Sequence, residues 1–207
     1  KELFRSEIPE IHKGIVEIKD VVRDPGVRTK IAVASNDPDV DAFGTCVGSK
    51  GVRVQNIRKE LREELVDVVR WSENIEDYIA EALGRDKVLN IFIDEKMKAA
   101  TVLVLPEKKN IAIGKSGKNV RLAAILTKHK IDILTEDEYL EKKSLERRIT
   151  TRVDELDGVT PKISEALKEA GHTSVEDIFK AKLEDLQQLP GIGEKTAIKL
   201  KDAAKRF

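Results

Sequence analysis

The chain has little of what catalytic, metal-binding or membrane-embedded proteins are usually built from. It holds one cysteine in 207 residues, which excludes an internal disulfide and a cysteine-cluster metal site. The three histidines, His12, His129 and His172, are scattered and lack the spacing of zinc ligands or of a catalytic triad. There is no signal peptide and no apolar run near 18 residues, so a soluble, cytoplasmic protein is expected. No general acid–base pair with supporting context occurs, and we expect no metal and no cofactor.

An excess of one charge sign is also absent. The 38 lysines and arginines balance 38 aspartates and glutamates, and aromatic residues make up only 4% of the chain. Because a nucleic-acid-binding surface needs positive charge, any such surface must be local. The chain begins at Lys1 inside a charged phrase, and we expect it to be a piece of a longer protein.

A Gly-Lys-Ser triplet at residues 114–116 raises the question of a nucleotide site. The P-loop pattern needs a further glycine at position 109, which is Lys109, so the wide loop that wraps a triphosphate is missing. An NTPase remains an alternative hypothesis, which hydrolysis of a nucleotide by the purified chain would support. A calcium loop starting at Asp37 fails in the same way, because Ala42 and Gly48 stand where glycine and glutamate are required.

The triplet belongs to a different pattern, which occurs twice. CVGSKGVRVQNI (residues 46–57) and AIGKSGKNVRLA (residues 112–123) both read aliphatic-Gly-x-x-Gly, followed by a helix with basic residues. Each is preceded by an alternating apolar run and followed, about one helix later, by an aspartate between aliphatic residues. One module therefore occurs twice, and its elements are predicted in the order α-β-β-α-(GxxG)-α-β.

A glycine-flanked turn of this kind exposes backbone N–H groups at the start of the second helix, where the helix dipole favours a phosphate. Glycine is needed because a Cβ would hold the sugar–phosphate backbone away. This is the arrangement of KH domains, whose loop clamps about four nucleotides. The alternative is a helix–turn–helix corner without a ligand, which two copies in matched context disfavour. Trp71 ends a strand and is expected to pack between the modules rather than to stack on a base.

The last part of the chain changes character. Residues 136–155 are charged with a thin apolar stripe, which is typical of a linker or bridging helix. Beyond them, residues 156–170 align with residues 189–203, which predicts two glycine turns that each lead into a helix.

The second of these turns resembles a helix-hairpin-helix turn, which can hold a DNA phosphate without reading sequence. Its residues are Gly191, Ile192, Gly193 and Lys195. Acidic residues near the turn favour a module that binds protein instead, because phosphate binding calls for a basic face. They are Glu176, Asp177, Glu184 and Asp185.

The sequence segments around the glycine loops resemble those of a known family. RDPGVR, SNDP, VRWSE and AIGKSGKNVRLAAILTKHKIDI together resemble the tandem type II KH region of the NusA family of bacterial transcription factors, over about residues 1–136. The resemblance implies an α+β fold with KH domains at 1–72 and 73–136, a charged linker or helix at 137–155 and a small all-α helix-hairpin-helix domain at 156–207.

The resemblance also implies a function. It implies binding of nascent single-stranded RNA in a complex with RNA polymerase, with roles in pausing, termination and antitermination, without catalysis and without a membrane. The helical tail would meet further transcription factors. By motif position, the RNA-binding residues are Gly48, Ser49, Lys50, Gly51 and Arg53 in the first loop, and Gly114, Lys115, Ser116, Gly117, Lys118, Asn119 and Arg121 in the second. The family usually has glutamine where Lys118 stands.

The alternative hypothesis is a KH protein of ribosome assembly or RNA processing whose tail docks on DNA or protein.

Overall fold

The computed structural model describes residues 1–207, which divide into two compact units, Lys1–Glu136 and Asp137–Phe207. The first unit contains one module twice. The first module consists of α1 (Glu2–Glu7), α2 (Pro9–His12), β1 (Val16–Asp24), β2 (Arg28–Ser35), α3 (Ala42–Val47), α4 (Val52–Glu60) and β3 (Leu65–Arg70). The second consists of α5 (Ile75–Leu83), β4 (Val88–Asp94), β5 (Ala99–Val104), α6 (Pro106–Ile113), α7 (Lys118–Thr127) and β6 (Lys130–Leu134).

Both modules have the same sheet. The first two strands are antiparallel, the third strand joins the second in parallel, and the order is β1-β2-β3 in one sheet and β4-β5-β6 in the other. Each first strand carries an irregularity at the same place, at Lys19 in β1 and at Leu89 in β4. The α+β fold class and the α-β-β-α-(GxxG)-α-β order are thereby confirmed.

Local chemistry sets the helix ends. The Asp41 carboxylate accepts a hydrogen bond from the Phe43 amide at the start of α3, over 3.2 Å. At the start of α5 the Asn74 side chain accepts from the Asp77 amide, over 3.0 Å, and the helix ends at Gly84, whose φ is +99°. Capping side chains of this kind satisfy amides that the first turn leaves unpaired.

The two modules share a hydrophobic core. Helices α5 and α7 of the second module pack against each other and against the sheet of the first module. The buried residues of this core come from both modules: Ala32, Val69, Tyr78, Ile79, Ala82, Leu83, Ala100, Val102, Val104, Ala112, Ala123, Leu126 and Ile133. Trp71 packs against the same core, which confirms its expected position between the modules.

Strand β2 is consequently buried on both faces. Ile31 and Val33 face the helices of their own module, where Cys46 and Ile57 also lie. Ala32, between them, belongs to the core shared with the second module. A strand covered on both sides has no solvent face, which is why apolar residues occupy the consecutive positions 31–34 of this one.

The second unit is entirely helical. It contains α8 (Glu136–Thr150), α9 (Pro161–Glu169), α10 (Val175–Lys180), α11 (Leu183–Gln187) and α12 (Glu194–Lys205), with α8 starting at the boundary between the units. Its core is formed mainly by Val153, Leu167, Val175, Ile178, Leu186, Ile192, Ala197 and Leu200. None of the twelve helices of the chain combines the length and the apolar character that crossing a bilayer requires.

A buried carboxylate fastens the β1–β2 turn of the first module. The side chain of Glu64 is 0% exposed and accepts hydrogen bonds from the Arg23 guanidinium at 2.8 and 2.9 Å and from the Gly26 amide at 2.9 Å. The Thr29 hydroxyl donates a further bond. The hydrogen bond from Arg23 is the main reason that the pKa of Glu64 falls to about 2, although burial opposes this shift.

The Glu64→Gln variant should unfold more readily than the wild type. We expect a loss of about 2 kcal/mol at neutral pH, because a charge-assisted network around a buried group is broken. The folded-state pKa lies below the ordinary value of 4.5, so the contribution is complete above that pH and is lost as the pH falls toward 2. Urea unfolding at pH 7 and pH 3 measures both effects, with the exposed neighbour as control in Glu63→Gln. An equal loss in both variants at pH 7 would contradict the assignment.

Candidate nucleic-acid interface

The two glycine loops have the same backbone conformation. Gly48 and Gly114 adopt φ/ψ of 76°/169° and 76°/168°, and the loops close with matching hydrogen bonds from Gly51 to Gly48 and from Gly117 to Gly114, both over 3.0 Å. The second glycines are left-handed, with φ of 78° and 71°. Two sequences that share only their glycines therefore build one structure.

The first glycine of each loop has the stricter requirement. A φ near +76° with ψ near +168° is a backbone region that is essentially restricted to glycine. A Cβ on Gly48 would lie 2.9 Å from the Arg53 side chain, and one on Gly114 would lie 2.7 Å from Asn119 Cβ. A Cβ on Gly117 would meet nothing within 4 Å, so only its positive φ selects glycine there.

The central residues of both loops present unpaired amides to solvent. Ser49 and Lys50 are exposed, as are Lys115 and Ser116. The backbone N–H groups of these four residues donate to no acceptor in the chain. Each loop also leads directly into a helix, α4 or α7, whose dipole adds partial positive charge at the same place. The loops are therefore suited to hold an anionic group by backbone contact.

Two of the residues expected to contact RNA also hold the loops in shape. Arg53 donates to the Thr45 carbonyl over 2.8 Å and to the Glu10 carboxylate over 3.0 Å. Asn119 takes the same place in the second loop, is 2% exposed, and donates to the Ala112 carbonyl over 2.8 Å. Both side chains reach back to the helix before the loop and support it, and their contact with RNA stays a prediction.

Lys118 is also engaged. Its ammonium lies 2.9 Å from the carboxylate of Asp24, the last residue of β1 in the first module. The residue after the second loop thus bridges the two modules. Arg121, one turn further along α7, is exposed and forms no ion pair.

The carboxylates near the first loop are neutralised. An open groove of about 830 Å³ runs along this loop and is bordered by Glu10 and Asp41. Glu10 is paired with Arg53, and Asp41 lies 3.3 Å from the Arg70 guanidinium, which also stacks on Phe43 at 4.2 Å. A phosphate at the loop would therefore not face an uncompensated negative charge.

A second cleft, of about 580 Å³, opens beside the same loop. One wall is the exposed face of α4, with Gln55 and Arg58, and its floor is the edge strand β3. The other wall is the end of α5 in the second module, including Arg85. The Arg58 Nε atom is buried and has no hydrogen-bond partner. A buried donor without an acceptor in the chain calls for a partner outside it, such as a water or a ligand.

Sequence reasoning missed this cleft because it joins residues that lie far apart in the chain. Only the spacing of Gln55 and Arg58, three residues apart on the helix that follows a glycine loop, could have indicated that they share one face. The contribution of α5 depends on how the modules pack, for which the sequence carries no local signal.

The helix-hairpin-helix turn lies in the second unit. Gly191 has a φ of +81°, Gly193 and Lys195 are exposed, and the Ile192 side chain is 2% exposed in the core. No side chain caps α12, which begins directly after Gly193.

Two of the acidic residues that argued against phosphate at this turn have structural roles. Glu176 is buried and paired with Arg148 at 2.6 Å and with Lys180 at 3.2 Å. Asp177 accepts from the Ser174 amide and hydroxyl at the start of α10. Their charges are used within the unit, so they do not support the preference for a protein-binding module.

The sheet topology and the paired loops define a tandem type II KH protein followed by a helix-hairpin-helix unit. Residues 1–71 match the NusA-like first KH domain, residues 75–141 the NusA-like second KH domain, and residues 151–206 the SAM-like helix-hairpin-helix tandem. The chain therefore belongs to the NusA family, of which it carries the tandem KH region and a helix-hairpin-helix unit.

Similar proteins carry the name transcription termination/antitermination protein NusA. The one from Bacillus subtilis is 50% identical over 141 residues, which is 68% of this chain and 38% of that protein. The one from Rickettsia prowazekii is 38% identical over 207 residues, which is 98% of this chain and 41% of that protein. The chain thus spans about two fifths of the length of these relatives. The solved structure of APE1850 matches 64% of this chain and 94% of its own, with a TM-score of 0.48 and 23% identity.

The two glycines of the second loop should respond differently to substitution. Gly114→Ala should destabilise the chain by about 3 kcal/mol, because it combines a glycine-only conformation with a steric clash. Gly117→Asn should lose less than about 1 kcal/mol, because asparagine tolerates a left-handed backbone in open space. Thermal and urea unfolding measure the difference. Equal losses would show that the two positions are not distinguished by their backbone conformation.

Proposed function

We propose that the chain is the RNA-binding region of a transcription termination and antitermination factor. It binds nascent single-stranded RNA through both glycine loops while the factor is in complex with RNA polymerase in the cytoplasm. It acts in pausing, termination and antitermination without catalysing a reaction. The division into domains at 1–72, 73–136, 137–155 and 156–207 belongs to the same proposal.

The main support for this proposal is that two loops of the same backbone conformation, each with unpaired amides, lie in one unit with a common hydrophobic core. Each loop offers two exposed N–H groups at a helix start, which is a site for a phosphate rather than for a base. The proposed contacts are the backbones of Gly48, Ser49, Lys50, Gly51, Gly114, Lys115, Ser116 and Gly117, with the side chains of Lys50, Lys115 and Arg121. Arg53 and Asn119 support the loops, and Lys118 bridges the modules.

The cleft beside the first loop suits the nucleotides that follow the clamped phosphate. Strand β3 pairs only with β2, so its other edge offers free backbone groups to a base. Arg58 supplies the unsatisfied donor, and aliphatic side chains such as Val54 supply an apolar surface. Because base edges rather than phosphates carry sequence information, we assign sequence preference to this cleft.

The runner-up function is RNA binding in ribosome assembly or RNA processing, with the tail docked on DNA or protein. The uncapped start of α12 beside exposed Gly193 and Lys195 favours a phosphate at this tail. Isolation of the tagged chain's complexes separates the two readings. RNA polymerase in the eluate supports the transcription reading, and ribosomal particles support the runner-up.

Aspartate in the loops should weaken RNA binding strongly without unfolding the chain. The variant Ser49→Asp, Lys50→Asp, Lys115→Asp, Ser116→Asp places negative charge where phosphates would lie. We expect a loss of at least ~2 kcal/mol of binding, because charge repulsion adds to the lost hydrogen bonds. Fluorescence anisotropy with a single-stranded RNA gives the affinity, and a thermal melt verifies the fold. Undiminished affinity in the folded variant would refute the loop assignment.

Arg58→Gln should weaken RNA binding and leave stability nearly unchanged. Its buried Nε has no acceptor to lose, and its only ion pair is a 3.6 Å contact with exposed Glu63. We expect about tenfold weaker binding, the size of one hydrogen bond to a charged group. The control is Lys59→Gln on the adjacent, exposed position of α4. If both variants bind RNA equally, the cleft beside the first loop is not part of the RNA site.

A further inference from the structure

One end of the second module carries four lysines that have no role so far. They are Lys96, Lys98, Lys128 and Lys130, and we call this group the lysine end. The Lys130 amide donates to the Lys98 carbonyl over 2.9 Å, so the β4–β5 turn and the start of β6 lie side by side. All four side chains are exposed and none forms an ion pair, whereas Asp94 accepts a hydrogen bond from the Met97 amide.

The first module differs at the same place. There the Leu65 amide donates to the Val27 carbonyl over 3.1 Å, in the position of the bond between Lys130 and Lys98. Two neutral residues thus stand where the second module has two lysines. The nearby Arg23 is bound to buried Glu64, while the residue before Lys130 is a histidine. The modules share their backbone here but differ in charge, so the fold itself does not require the lysines.

The lysine end lies at the opposite end of helix α7 from the second glycine loop. Helix α7 starts at the second glycine loop, Lys128 directly follows it, and Lys130 opens the edge strand β6. A ten-residue helix is about 15 Å long, so the lysines lie about that far from the loop, along the helix that would border the bound RNA. Asp94 and Glu95 are the carboxylates of the turn, against four ammonium groups.

We propose that the lysine end binds the phosphates of RNA that extends beyond the second glycine loop, which lengthens the binding site. This inference rests on the proposed function, because it presumes RNA at that loop. Lysine is a mobile point charge without fixed bonding geometry, which suits contact with phosphates regardless of sequence. The contact therefore adds affinity and salt dependence, and leaves sequence preference unchanged.

The test compares the full chain with a variant in which all four lysines are glutamine, and with a control in which all four are arginine. The probes are one eight-nucleotide RNA, sufficient for two loops of about four nucleotides each, and one sixteen-nucleotide RNA. We expect the glutamine variant to bind the long RNA about tenfold more weakly at low salt and the short RNA as the wild type does. For each lost phosphate contact, the slope of log affinity against log salt should fall by about 0.7. The arginine control should match the wild type.

Each outcome decides a different claim. If the glutamine variant and the wild type bind the long RNA equally, the lysine end does not bind RNA. If the wild type binds neither RNA, the proposed function itself is wrong. Equal weakening for the short and long RNAs also overturns the inference, because the lysines would then not contact an extension. A second measurement uses Met97→Cys, whose position is 66% exposed while Cys46 is fully buried, for crosslinking to RNA. Crosslinks confined to one terminal part of the long RNA support the proposal. A folded variant that binds the long RNA but forms no crosslink to it overturns the proposal.

Discussion

The packing of the second module's helices on the first module's sheet is the interaction on which the rest of the structure depends. Ala32 and Val69 of the first module and Ile79 and Ala123 of the second lie in one buried cluster. Burial of apolar area at this interface is the main favourable contribution that could hold the modules together, since the Lys118–Asp24 pair is more than one-third exposed on both sides. The shared core fixes the direction in which each glycine loop points.

With the loops fixed, their chemistry follows from backbone conformation. Each first glycine adopts a conformation that side chains forbid, and the residue five positions later fills the space beneath it, as Arg53 or as Asn119. The result is a rigid turn with two outward amides and no acceptor for them. Rigid donors lose little entropy when an anion binds, which is how a short loop can hold a phosphate without a strongly basic chain. The net charge of zero is therefore compatible with RNA binding.

The sequence was sufficient for the features that depend on local chemistry. The duplicated glycine pattern predicted the modules and their element order. It was insufficient for features that depend on packing between distant residues. Arg53 and Asn119 look like surface residues next to a loop, and only the structure shows that they reach back to carbonyls of the preceding helix. Glu176 looked like a free acidic residue for the same reason, because its partner Arg148 lies on another helix.

The central claim is that the shared core holds both loops in one fixed relation before RNA arrives. It is tested by the distance distribution between spin labels at Lys50→Cys and Lys115→Cys. Burial raises the pKa of the Cys46 thiol to about 12, so the labels attach only at the introduced sites. The account predicts a single narrow distribution that RNA leaves unchanged. A broad distribution that narrows only when RNA binds would contradict it, because the RNA rather than the core would then be setting the geometry.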